Sequence, residues 1–264
     1  MKRFFSFFFA TVMLISLGIC AFGEAGIIYC WNCGEKIPEN SNFCPYCGST
    51  QNRTPARTTQ PSASSFNAGD SIFFGRYEQD NVLFNGEEAI EWFVLDVDRN
   101  NRRMLLISKY GLDNVKYNDK EASVNWDTCT LRTWLNSTFI NKAFSYEEQA
   151  CIADSFVSAQ SNPNYKGKDA GKDTTDKIFI LSVAEADAYL KSDDTRISAA
   201  TPYAEAQGVT NYYDLNGACW YWMRNFGIHH NWAMHAYVSG EWNYDGCAVN
   251  RYDVAVRPAL WIYY

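Results

Sequence analysis

Two CxxC pairs, Cys30-Trp31-Asn32-Cys33 and Cys44-Pro45-Tyr46-Cys47, stand ten residues apart near the start of the chain. Each is followed by a glycine, Gly34 and Gly48, where a tight turn lets backbone N–H groups face thiolate sulfur. Four thiolates at this spacing close a tetrahedral zinc site, two knuckles joined by one short hairpin. All four positions are protein sulfur, so no coordination position is left for chemistry. The metal's expected role is structural, because so short a segment cannot bury a sufficient core without a staple. Disulfides are the competing reading, favoured by an oxidising compartment. A CxxC closed on itself is a strained ring, so such disulfides would pair between the knuckles. A redox role lacks the βαβ context it needs.

A second concentration of chemistry lies between Cys219 and Ile262, which holds five of the nine tryptophans and all three histidines, His229, His230 and His235. Adjacent histidines on a strand point to opposite faces, and their spacing matches no standard zinc pattern. A surface or loop role is expected for them. Aromatics beside Gly, Asn and Asp turns suit stacking on sugar rings or gripping a protein surface. The expected ligand-binding residues are His229, Trp232, Trp242, Tyr244 and Asp245, with Trp232, Trp242 and Tyr244 exposed in loops. Cys219 and Cys247 carry two open readings, a disulfide across the strands or buried thiols. Arg132, Arg224 and Arg257 sit inside aromatic runs, where a guanidinium needs a carboxylate. Asp127, Asp176, Glu185 and Asp214 are the candidate partners. GxSxG, HExxH and GxxxxGK are absent from the sequence.

The elements that must position these groups follow from periodicity. Ser71–Tyr77, Glu91–Val97 and Arg103–Lys109 read as strands of one antiparallel sheet, the last two joined by a turn at Asp98–Asn101. Leu131, Trp134, Leu135, Thr138 and Phe139 recur at helical spacing. Ser145 with Glu148, and Ser182 with Glu185, are capping boxes. Asp176–Ser182 is apolar enough to predict a central strand. Ser161–Thr175 reads as a mobile loop, and Thr201-Pro202 as a helix start closed by Gly208. Short apolar runs between turn residues then predict a closing β-meander. Strands, short helices and a terminal meander make an α+β fold.

The 264 residues have room for one ordinary domain and a small module. A formal charge of -7 argues against a nucleic-acid partner. Lys2 and Arg3 precede an apolar run, Phe4 to Phe22, with small residues at Gly23 and Ala25. Residues 1–25 therefore read as a signal peptide, or as an uncleaved anchor of about 19 residues. Either way the expected location is extracytoplasmic. Residues 49–68 are a Ser, Thr, Gln and Pro linker. The divisions expected are thus 1–25, 28–48, 49–68 and 69–264.

Residues 28–48, with Ile37-Pro38 and Phe43, resemble the bacterial zinc-ribbon module CxxCGxxIPxxxxFCPxCG. WxxxxLRxWLNxxFxxxAF from Trp126, TTDKIFILSxxEA from Thr174, TxYA from Thr201, WYWMR from Trp220 and VRPALWI from Val256 are similar to the bacterial domain DUF6273. That family carries no established activity, so this likeness implies fold and compartment more than function. The Trp-rich strands also resemble C-type-lectin-like folds, including the formylglycine-generating enzymes. That enzyme group uses a close cysteine pair, whereas Cys219 and Cys247 lie 28 positions apart. The calcium-dependent sugar motif of lectins is missing. The expected function is a non-catalytic extracytoplasmic module binding a glycan, cell-wall or protein ligand. The alternative is a formylglycine-generating-enzyme-like oxidoreductase using Cys219 or Cys247.

Overall fold

The computed structural model describes residues 27–30, 34–38, 43–49 and 66–264. The leader expected over residues 1–25, most of the linker and Cys33 lie outside the described residues.

In the ribbon, β1 (Ile27–Tyr29) pairs antiparallel with β2 (Lys36–Pro38). The domain begins with β3 (Ser71–Tyr77), β4 (Glu88–Asp98) and β5 (Arg103–Ser108), then a short β6 (Asp113–Asn114). Four helical pieces follow: a 3-10 turn over Trp126–Thr128, α1 (Thr130–Trp134), a π-helical turn over Leu135–Phe139, and α2 (Ile140–Ala143). The helix α3 (Tyr146–Cys151) precedes β7 (Ser155–Val157), β8 (Thr174–Asp176) and β9 (Ile178–Phe179). Helices α4 (Val183–Tyr189), α5 (Asp193–Arg196) and α6 (Pro202–Ala206) lead into the meander. Its strands are β10 (Tyr221–Phe226), β11 (Trp232–Ala236) and β12 (Trp242–Ala248), before β13 (Ala255–Val256) and β14 (Ala259–Tyr263).

Two five-stranded sheets carry the α+β domain, in the orders β3-β4-β5-β14-β9 and β12-β11-β10-β13-β6. Strand pairing is antiparallel apart from β10 with β13. The opening sheet is thus larger than the sequence predicts, because the last strand returns to lie beside β5, Leu260 opposite Leu106. The chain changes sheet at Arg257-Pro258, between β13 and β14. Proline suits that step because the ladder is interrupted there. Both sheets share one core, with Trp92, Leu106, Trp222, Met234 and Ile262 each at most 1% exposed.

Both capping boxes form: Ser145 Oγ accepts from Glu148 N at 3.2 Å and Ser182 Oγ from Glu185 N at 3.3 Å. Two expectations are corrected. The 176–182 segment is not a central strand: β9 is the sheet edge, and its apolar residues are buried because the helical segment covers them. Asn136, in the π-turn, completes that edge. Its Oδ1 accepts from Lys177 N (2.9 Å) and Ile178 N (3.1 Å), and its Nδ2 donates to Ile178 O (2.8 Å) and Arg132 O (3.0 Å). The 161–175 loop is tethered rather than loose. Asn162 is fully buried and donates to Phe226 O (2.9 Å) and Tyr244 O (2.7 Å), and Lys168 Nζ donates to Ile228 O.

Candidate functional site

The two knuckles of the ribbon repeat one backbone pattern. Cys30 N donates to Glu35 O (2.8 Å) and Cys44 N to Ser49 O (2.9 Å), while Gly34 N and Gly48 N each donate to the first cysteine's carbonyl at 2.9 Å. Both turns close through glycine at positive φ, +72° for Gly34 and +73° for Gly48, where a side chain would be strained. The sulfurs of Cys30, Cys44 and Cys47 lie within 4.8 Å of one another, and those of Cys30 and Cys47 are 3.6 Å apart. Zinc–sulfur bonds of about 2.3 Å give a tetrahedral S···S edge of about 3.8 Å, so this donor set fits zinc. Ser49 Oγ lies 3.1 Å from Cys47 Sγ and 3.3 Å from Cys30 Sγ, a polar neighbour for charged sulfur. Cys30, Cys44 and Ile37 form the ribbon's own small core. Arg76 of β3 reaches it, donating to Gly34 O at 3.1 Å and lying 3.6 Å from Glu35.

The three arginines resolve differently. Arg132 Nε meets Asp176 Oδ1 at 2.7 Å, and Asp176 also accepts from Trp126 Nε1 at 2.9 Å. Arg224 Nη2 meets Glu185 Oε1 at 2.7 Å. Arg257 meets no carboxylate among the described residues. It is 1% exposed, donates to Ser108 O (3.0 Å) and Arg196 O (3.2 Å), and lies over the Tyr221 ring. It ties the ends of three segments together where the chain changes sheet. Asp214 pairs with none of the three, and Asp127 offers Arg132 only its backbone oxygen.

The meander's expected ligand residues separate. His229 is exposed and meets Trp232 edge-on, with ring centres 5.5 Å apart. Trp242 is not an exposed loop residue. It is 8% exposed, donates from Nε1 to Asp187 at 2.8 Å and lies under Arg196, so it packs toward α4 and α5. Tyr244 is half-buried against the core, and Asp245 accepts from Tyr165 of the tethered loop. His230 lines a separate polar cavity with Asn125, Asp127, Asp169 and Lys172.

Trp232 instead shares a cleft of about 500 Å³ with Trp220, His235, Asn243, Cys247 and Arg251, with Gly246, Ala248, Asn250 and Tyr252 completing it. His235 is 1% exposed, which overturns the surface role expected for it. Its ring stacks on Trp220 at 4.6 Å and meets Trp222 and Tyr237 edge-on. Burial pushes its pKa down to about 4, and Arg251 adds to the effect against Asp253 and the Ala233 backbone. Arg251 covers Trp220 at 4.9 Å and binds both carboxylate oxygens of Asp253, Nη2 to Oδ2 at 2.7 Å. Alternation along β11 places His235 inward, but the sequence holds no sign that Trp220, Arg251 and Tyr252 converge on it. That meeting depends on the crossing of β10, β13 and the turn between β12 and β13.

The cysteines outside the ribbon do not form the Cys219–Cys247 bridge, since both are free. Cys219 is fully buried, with its thiol 3.4 Å from Ser198 O and its pKa pushed up to about 12 by burial. Burial also pushes the Cys247 thiol up to about 12, although it lines the cleft. Cys151 is disulfide-bonded.

Fold and donor set together define a zinc-ribbon protein with an α+β domain. The zinc-ribbon domain model matches residues 29–50, and that of the domain of unknown function DUF6273 matches residues 101–264. The chain belongs to the DUF6273 family. The family match opens inside the β4–β5 turn, so β3 and β4 lie outside it while completing its sheet. Neither the curated proteins nor the solved structures give a match.

Proposed function

We propose that this protein is an extracytoplasmic, non-catalytic binding module whose domain takes a glycan, cell-wall or protein ligand in the cleft beside β11. The observation that carries the reading is the cleft itself, where the half-buried Trp232 and the exposed Tyr252 flank Asn243, Asn250 and Arg251. Aromatic walls with a few fixed polar groups are what a small-ligand site requires. The zinc ribbon is structural, with Cys33 as the fourth ligand beside Cys30, Cys44 and Cys47. The leader, Lys2-Arg3 followed by Phe4 to Phe22, supports the exported location. A C-type-lectin-like kinship belongs to the same proposal, supported by the return of β14 to pair with β5 of the opening sheet.

His229 extends the binding surface through its contact with Trp232. Trp242, Tyr244 and Asp245 serve it indirectly, by holding β12 and the tethered loop in place. The oxidoreductase alternative has weak support, because neither Cys219 nor Cys247 is a thiolate near neutral pH.

The test is retention of the full chain on isolated cell-wall sacculi. Trp232→Ala and Tyr252→Ala are each expected to reduce it at least fivefold, with folding checked by circular dichroism. Cys219→Ser, whose sulfur lies outside the cleft, is expected to leave it unchanged. Full retention by both aromatic variants sinks the cleft as the binding site.

A further inference from the structure

We propose that the loop between β3 and β4 rests in the lipid interface of the membrane that the leader enters, with Leu83 and Phe84 as its contact residues. The inference goes beyond the cleft and rests on one part of the proposed function, the leader, kept as an anchor. It starts from two neighbouring apolar side chains held in solvent, Leu83 at 73% exposed and Phe84 at 93%. Single apolar residues are ordinary on a surface, but an adjacent pair at a loop tip presents one contiguous apolar contact.

The loop that carries them is closed by hydrogen bonds at every step. Val82 N donates to Asp80 Oδ1 (2.8 Å) and Glu78 Oε1 (3.1 Å). Asn85 donates from N to Val82 O (3.0 Å) and from Nδ2 to Asp80 Oδ2 (2.8 Å). At the base, Gln79 N donates to Glu88 Oε2 at 2.7 Å, and Gln79 O accepts from Tyr203 N of α6 at 2.9 Å. A turn fixed in this way loses little conformational freedom when its tip is buried against another phase.

The ribbon locates that phase. Arg76 donates to Gly34 O at 3.1 Å, and a Cβ on Gly34 would stand 3.5 Å from that of Ala89. Arg76 pairs with Ala89, and Tyr77 with Glu88 is the last pair before the loop. The ribbon therefore packs at the end of the hairpin from which the loop projects. Its strand β1 opens at Ile27, five residues beyond Phe22, where the apolar run of the leader ends. Five residues span at most about 17 Å. An anchored leader thus holds this end of the domain near the bilayer surface.

Charge selects the lipid class. No lysine or arginine lies between Tyr77 and Ile90, whereas Glu78, Asp80, Glu87 and Glu88 do. The contact is apolar rather than electrostatic, so anionic lipid weakens it, the reverse of a polybasic surface.

The test reconstitutes the full chain into phosphatidylcholine vesicles, with plain or brominated acyl chains that quench tryptophan inside the bilayer. The control is Phe156, 73% exposed on β7. Just before β7, Ala153 N bonds Trp261 O, opposite Leu105 and so at the end of the sheet away from the loop. Emission added by Phe84→Trp is expected to fall at least twofold on bromination, and that added by Phe156→Trp to stay unchanged. Vesicles enriched in phosphatidylglycerol are expected to quench Phe84→Trp less. Equal quenching at both positions, stronger quenching in anionic vesicles, or none at position 84 overturns the inference. If position 84 is silent while the chain stays on the vesicles through an alkaline wash, the anchor stands and only the loop contact falls. A chain released by that wash removes anchor and inference together. Emission at position 84 that shifts with envelope protein extract but not with lipid assigns the loop to a protein partner, which also overturns it.

Discussion

Asn243 and His235 face each other across β12 and β11, amide Nδ2 to imidazole Nε2 at 3.2 Å, and that pairing excludes a proton from Nε2. Burial and Arg251 act in the same direction, holding the pKa near 4 against an ordinary 6.5. Between those values the unfolded chain binds more protons than the folded one. Stability is therefore complete above about pH 6.5, falls as pH drops through the window, and levels off near 4. The whole difference is about 3 kcal/mol. Thermal unfolding at about pH 7.5 and about pH 4.5, on wild type and His235→Gln, reads it. A wild-type loss no larger than the variant's over that window contradicts the assignment.

Zinc removal is expected to act locally. The purified full chain should hold about one zinc, and Cys44→Ser or strong chelation should remove it. The Arg76 contacts join ribbon to domain through partly exposed groups, so the domain's melting temperature should move little. Metal analysis and calorimetry check both statements. A metal-free chain with disulfides between the knuckles, found by mass spectrometry, would support the competing reading instead.

Gly246 is expected to be irreplaceable in the strand that forms the cleft. It holds φ +76°, and a Cβ there would stand 2.4 Å from Ala233 O. Gly246→Ala should cost about 2–4 kcal/mol, combining backbone strain with displacement of β11. Gly86, at φ +88° with nothing near its missing Cβ, is the control, and its alanine variant should cost about 1 kcal/mol. Urea unfolding that ranks the two variants the other way refutes this account.

Asn136 makes four hydrogen bonds to two segments, so Asn136→Ala should cost about 2–3 kcal/mol. Asn136→Asp keeps the acceptor for Lys177 and Ile178 but loses the donor to Ile178 O, and should be harmful too. Hydrogen exchange at Ile178 N is the direct measurement, with faster exchange expected in both variants. Unchanged protection there would remove Asn136 from its role at the sheet edge.

Local rules carried the helix starts, because a capping box is complete within four residues: Ser145 with Glu148 and Ser182 with Glu185 need no distant partner. The strand at 176–182 was misplaced for a related reason. Apolar density reports that Ile178 and Phe179 are buried, but not whether a second strand or a helix buries them. Trp242 was misjudged in the same way, since its Asp187 and Arg196 partners lie about 50 residues upstream.

By itself the sequence marked the zinc-ribbon module and the cysteines Cys30, Cys44 and Cys47 that gather in it, because knuckle spacing and the two glycines are properties of short segments whose turns close on themselves. It also determined the α+β class and the meander, and Asp176 and Glu185 stood among the four carboxylates it offered the arginines, although the pairing itself came from the tertiary structure. Tertiary structure alone decided which aromatics face outward and what surrounds His235. Trp220, Arg251 and Tyr252 come together only because β13 pairs with β10 while β14 leaves for the other sheet. Periodicity gives each strand two faces. Which face becomes a cleft depends on the neighbour that covers the other.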